Sequence, residues 1–155
     1  MGTYTSLSPA TGEVFATYPE ISDAELTDIV NRAHSAYRDW KDTPATKRAE
    51  ALRAIATEHR NRQDELARII TEEMGKPIAQ AKGEIALVAN IFDYYADNLE
   101  KFLADEELEF PSKGTAVIRT QPLGALLGVM PWNYPFYQVA RFAAPNIGLG
   151  NTIII

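Results

Sequence analysis

The sequence predicts an α/β protein, with a helical amino-terminal region leading into a partial parallel sheet. Three observations carry this expectation. Apolar residues recur at helical spacing from Ser22 to about Leu103. The character then changes at Ala116, where short β-rich runs separated by Pro and Gly take over. Finally, residues 125–155 read as strand, helix, strand, a βαβ unit that demands a parallel pair.

Taken in order, residues 4–18 alternate loosely around Ser8-Pro9-Ala10-Thr11-Gly12-Glu13 and suit a short hairpin. Ser22-Asp23-Ala24-Glu25 reads as a capping box opening an amphipathic helix, with Leu26, Ile29, Val30, Ala33, Tyr37 and Trp40 on one face. Thr43-Pro44 starts a second helix, with proline expected at its first position. The polar run 59–64 predicts a break, followed by a helix through Leu66, Ile69, Ile70 and Met74. Gly75 is placed to end it in the left-handed conformation, and Pro77 prevents continuation. A long helix spans Ile78 to about Leu103, in which Gly83 is expected to mark close packing.

Residues 104–116 are expected to form a connector, and Val117–Gln121 a strand. Ala125–Met130 is an unbroken apolar run of the kind buried on both faces. Residues 134–149 suit the crossover helix, and Asn151–Ile155 the second strand. Because Ile153-Ile154-Ile155 looks severed in mid-run, the chain is expected to be incomplete.

Bulk composition narrows the function. The 155 residues are 46% hydrophobic with a net charge of −6, a balance that argues against a nucleic-acid partner. Nothing resembles a signal peptide or a membrane span, so a cytoplasmic chain is expected. With no cysteine, disulfides, cysteine–zinc sites and thiol nucleophiles are excluded within these residues. His34 and His59 alone make a histidine metal cluster an unpromising expectation.

Ligands of open α/β sheets bind beyond the carboxyl ends of strands. Met130-Pro131-Trp132-Asn133-Tyr134-Pro135 lies at such an end, and the helix after it is expected to offer free N–H groups to an anion. No GxGxxG loop is present, and turn chemistry alone also accommodates this segment as a rigid strand-to-helix turn. Gln121-Pro122-Leu123-Gly124 followed by Gly128–Pro135 resembles the PLG…PWNxP segment of the aldehyde dehydrogenase superfamily, and at Tyr137-Gln138-Val139-Ala140-Arg141 the sequence is most similar to bacterial succinate-semialdehyde dehydrogenases. Ala144-Pro145 and Gly150-Asn151-Thr152 continue the match, and Ser8–Glu13 and Glu73-Met74-Gly75-Lys76-Pro77 are similar to two further family signatures.

The resemblance implies a Rossmann-like sheet, incomplete here, and an activity that oxidises an aldehyde with NAD or NADP. It implies three parts: residues 1–116 as hairpin and helices of the cofactor-binding domain, 117–124 as an oligomerisation-arm strand, and 125–155 as the first βαβ unit. Asn133 matches the oxyanion-hole asparagine, which donates to the alkoxide formed when a cysteine thiolate attacks the aldehyde. Met130, Pro131, Trp132 and Asn133 match positions along the nicotinamide-ribose end of the cofactor. Arg141 falls eight positions after Asn133, two helical turns on, and is expected to project from the crossover helix on roughly the same side as the reactive centre. It matches a substrate-entrance position, where an arginine can clamp a carboxylate with two parallel hydrogen bonds. The bland alternative is an arginine lying along the helix surface. Tyr134 and Gln138 match other substrate-tunnel positions.

The implied substrate is a small carboxylated aldehyde such as succinate semialdehyde, and the implied assembly a homo-oligomer, dimer or tetramer. The family's cysteine nucleophile, glutamate base and cofactor loop have no match here, so residues 1–155 alone are expected to be inactive on aldehydes. The alternative reading is a truncated, non-catalytic chain that folds in part and self-associates.

Overall fold

The amino terminus folds back on itself around a tight turn. In the computed structural model, which describes residues 2–109, 111 and 113–155, β1 (Thr3–Leu7) pairs antiparallel with β2 (Val14–Pro19). Helix α1 (Asp23–Trp40) begins at the expected capping box. The Glu25 N–H donates to Ser22 Oγ at 3.3 Å, and the Ser22 N–H donates to a Glu25 carboxylate oxygen at 2.8 Å. The Ser22 backbone and then its hydroxyl hold the Glu25 carboxyl below its ordinary pKa.

The apolar stripe of α1 is only half used, since Leu26 and Val30 stay exposed. Ile29, Ala33 and Trp40 instead line an open groove of about 770 Å³ with Ile153, Ile154 and Ile155.

The expected break falls at Arg62, between α2 (Ala45–Asn61) and α3 (Gln63–Met74). Pro44 stands at the N-cap of α2, not at its first helical position. Its carbonyl accepts from the Lys47 and Arg48 N–H groups at 2.9 and 3.1 Å, which is the work of an N-cap residue. Gly75 ends α3 at φ 74°, as expected, and a Cβ there would come within 3.1 Å of Pro9.

Helix α4 (Ile78–Leu103) contains Gly83, and here the expectation of close packing fails. A Cβ at Gly83 would meet nothing within 4 Å, because this side of the helix faces solvent. Gly83→Ala should therefore stabilise the protein by up to about 1 kcal/mol. A urea midpoint that falls on this substitution would contradict the structure.

The stretch expected to be a connector contains a strand. β3 (Glu106–Leu108) pairs antiparallel with β4 (Ala116–Ile118), so the strand expected at Val117–Gln121 spans Ala116–Ile118 and residues 119–124 run on irregularly. Acidic Glu106 and Glu107 disguised β3, because side-chain charge is tolerated on a ribbon open to solvent. Arg119 grips Asp105 with two bonds, Nε at 2.8 Å and Nη2 at 2.5 Å, across the open end of this ribbon. That guanidinium holds the Asp105 carboxyl below its ordinary pKa.

The βαβ unit is present: β5 (Ala125–Leu127), α5 (Pro135–Gly148) and β6 (Thr152–Ile154), with β5 and β6 parallel. The first strand is shorter than expected and is not buried on both faces, for Leu127 is 71% and Val129 87% exposed. Strand β5 pairs with β6 alone among the described residues, and Pro131 cannot extend a ladder.

Two clusters make the core. Helices α2, α4 and α5 enclose Leu52, Ala56, Val88, Phe92, Leu99, Ala140 and Ala144, while α3 and α4 enclose Leu66, Ile70, Ala81 and Ile85. Phe136, in the first turn of α5, packs against both. His59 is stacked on Phe92 and meets the edge of Phe136, so it belongs to this packing. At Gly148 the close approach is real, since an added Cβ would lie 3.2 Å from Leu52 and Leu99.

Candidate active site

All the sequence-predicted site residues lie on α5 or on the turn that leads into it, so what fixes α5 fixes the site. A helix leaves its first N–H and last C=O groups unpaired, and a buried helix end must find partners for them. At the amino end of α5, Pro135 has no N–H to satisfy. The next two donors, the Phe136 and Tyr137 N–H groups, both reach one carboxylate oxygen of Glu84 at 3.1 Å. The following Gln138 N–H donates to the Tyr134 carbonyl at 2.9 Å. Tyr134, the N-cap residue, makes no side-chain cap of its own. A glutamate from α4, some fifty residues earlier, does that work.

Glu84 is fully buried, and its other oxygen accepts from Nζ of Lys76, also buried. Breaking such a pair leaves an uncompensated buried charge, at a cost of about 3–5 kcal/mol. The Lys76 ammonium also lies 3.3 Å from the centroid of the Tyr134 ring, a cation–π contact on the other side of the turn. Tyr134 in turn meets Tyr137 edge to face.

The carboxyl end of α5 is held just as firmly. Arg48, buried within the core side of α2, donates from Nε to the Gly148 carbonyl at 2.8 Å and from Nη1 to the Thr43 carbonyl. A cation there suits the negative end of the helix. Burial draws its pKa below the ordinary arginine value. Trp40 Nε1 adds a bond to the Ile147 carbonyl at 2.9 Å. Just beyond, the buried Asn151 accepts from the Leu123 and Gly124 N–H groups at 2.6 and 3.0 Å, tying β6 to the turn before β5.

Between these anchors the turn itself is open. Trp132 is 76% exposed, and Asn133 and Tyr134 are also exposed. Met130 and Pro131 line two depressions. One, of about 590 Å³, is walled by Pro9, Met74, Trp132 and Phe136; the other, of about 370 Å³, by Gln138, Arg141 and Phe142. The fold thus brings Met130, Pro131, Gln138 and Arg141 together, whereas Asn133 and Tyr134 line neither depression. Arg141 is exposed, its guanidinium carbon 5.9 Å from the Tyr137 ring centroid and Nη1 3.5 Å from Gln138 Oε1.

Two expectations change on this geometry. The amino end of α5 does not offer free N–H groups to an anion, because Glu84 already occupies them. The eight-residue spacing does not set the direction of Asn133 relative to Arg141 either, since α5 begins only at Pro135 and Asn133 lies in the turn. Helical spacing does relate Gln138 to Arg141, one turn apart on the same face.

Sequence reasoning missed Arg48 and Glu84, and used Lys76 and Asn151 only as parts of motifs. A signal existed for two of them. Glu84 interrupts the apolar stripe Ala81, Ile85, Val88, and Arg48 stands four residues before Leu52 on the buried face of α2. A charge in an apolar stripe is seldom buried unless paired.

The family model described as the aldehyde dehydrogenase family matches residues 2–155. A succinate-semialdehyde dehydrogenase (NADP(+)) of Deinococcus radiodurans is 45% identical over 152 residues, covering 98% of this chain and 32% of that protein. A succinate semialdehyde dehydrogenase (NAD(P)+) of Escherichia coli is 41% identical over 150 residues, covering 97% of this chain and 32% of that protein. The crystal structure of a succinic semialdehyde dehydrogenase from Streptococcus pyogenes, in complex with NADP+, superposes with a TM-score of 0.93 at 39% identity. That match covers 97% of this chain and 33% of the other. The chain therefore spans about a third of the length of the relatives it matches.

Proposed function

Because the chain belongs to the aldehyde dehydrogenase family, we propose that it forms the amino-terminal part of an enzyme that oxidises a small carboxylated aldehyde, succinate semialdehyde, to the acid with NAD or NADP. The observation that carries the substrate class is Arg141. Its guanidinium is exposed on α5 beside Met130 and Pro131, and among the described residues its polar contact is a single long one to Gln138. It thus keeps donors for a carboxylate, in the fork geometry that lysine lacks. Gln138 and Tyr134 would line the approach. The relatives named above act on the same aldehyde by their names.

In this reading Met130, Pro131, Trp132 and Asn133 hold the nicotinamide-ribose end of the cofactor. Leu127, Val129 and Trp132, at and just beyond the carboxyl end of β5, are exposed, which fits that role. The amino end of α5 does not fit a pyrophosphate, because Glu84 closes it. When bound, the cofactor would supply the hydride acceptor. Asn133 donates its carboxamide N–H to the oxyanion that develops on the substrate. The ribbon β3–β4 serves as the arm through which subunits associate into a dimer or tetramer; its Leu108, Val117 and Ile118 are exposed. Among the described residues no helix is long and apolar enough to cross a membrane.

A full-length enzyme carrying residues 1–155 tests this directly. Its kcat/KM for succinate semialdehyde should exceed that for butanal by at least about tenfold, one charge-assisted hydrogen bond's worth. Equal values would remove the substrate assignment. The second reading, a non-catalytic chain, is favoured for residues 1–155 alone by one fact: they contain no cysteine. Incubated with aldehyde and either nicotinamide cofactor, that polypeptide should form no reduced nicotinamide. Measurable turnover would show that the chemistry does not need the thiol.

A further inference from the structure

We propose that Lys76 and Glu84 are positioning residues for Asn133, acting through the turn they grip from both sides. The inference rests on the oxyanion reading of Asn133. Glu84 holds the Phe136 and Tyr137 N–H groups, immediately after the turn, and Lys76 lies under the ring of Tyr134, the residue next to Asn133. One buried ion pair thus fixes both the helix entry and the side chain at the N-cap. The turn has little else to define it: Trp132 and Asn133 are exposed, and Tyr134 makes no side-chain cap. An asparagine that stabilises an oxyanion must be held before charge develops, since its value lies in needing no reorganisation.

The pair also closes the positive end of α5 to external anions. A carboxylate seated on two of its N–H groups removes the site to which a substrate carboxylate or phosphate would otherwise be drawn. Anion recognition near this turn is left to side chains such as Arg141. Charge balance is kept locally, because Lys76 neutralises Glu84.

The test is a double-mutant cycle in a full-length enzyme carrying this segment, read in steady-state kinetics with succinate semialdehyde. Glu84→Gln should lower kcat about tenfold, a fraction of the hundredfold that a misplacement of ~1 Å can cost. KM for the aldehyde should stay within about twofold, because the displaced donor meets the substrate oxygen only as charge develops. In an Asn133→Ala background the same substitution should cost nothing further, since residues acting as one unit are non-additive. If the losses multiply instead, or if Glu84→Gln leaves kcat unchanged beside a strongly impaired Asn133→Ala, the positioning role is wrong. If Asn133→Ala is itself as active as the parent, the oxyanion reading fails, and that outcome is separate. Should Glu84→Gln not fold, Glu84→Asp carries the same cycle, keeping the charge while drawing the carboxylate back by one methylene.

Discussion

Asn133→Ala, in a full-length enzyme carrying this segment, should lower kcat by about 10²–10³ while leaving the KM for aldehyde nearly unchanged. Asn133 lies in the turn between β5 and α5, exposed, and outside both depressions lined by Met130 and Pro131. A carboxamide in that setting contributes little to folding, so its removal should barely move the denaturation midpoint. A donor that meets the substrate oxygen only as charge develops lowers the barrier without tightening ground-state binding. The loss should therefore appear in kcat and kcat/KM equally. A change in kcat smaller than about threefold, well below the range for a lost oxyanion donor, would instead mark Asn133 as a turn-former.

How far the sequence reaches depends on the distance between partners. The cap of α1 was legible because Ser22 and Glu25 are three residues apart and need only each other. Gly75 was legible because a glycine followed by Lys76-Pro77 has one economical conformation at a helix end. The βαβ unit was legible from its apolar runs and from the length of its crossover.

The cap of α5 was not legible. Its donors lie at Phe136 and Tyr137 and its acceptor at Glu84, and only the packing of α4 against α5 brings them together. Arg48 reaches Gly148 across a separation of 100 residues for the same reason. Strand β3 was hidden differently. Glu106 and Glu107 carry no β signal, and the strand exists because Ala116–Ile118 offers it an edge. The candidate residues on the turn and helix could be named from a motif. What holds them there had to be read from three dimensions.

Arg141→Ala carries the substrate assignment, and its expected effect is selective. KM for succinate semialdehyde should rise about a hundredfold, roughly 2.7 kcal/mol, which is what a bidentate charge-assisted clamp supplies at a partly exposed site. KM for butanal should move less than about threefold, because that aldehyde has no carboxylate to lose. The structure leaves the guanidinium able to act in this way. Its bond to Gln138 is long, at 3.5 Å, and its approach to the Tyr137 ring restrains the side chain without consuming its donors. The closed amino end of α5 sharpens the prediction, because it leaves the substrate carboxylate no helix terminus to fall back on. Arg141→Lys should fall between the two, keeping the charge but losing the planar fork. Comparable losses on both aldehydes would mean that Arg141 supports the helix surface and does not recognise a carboxylate.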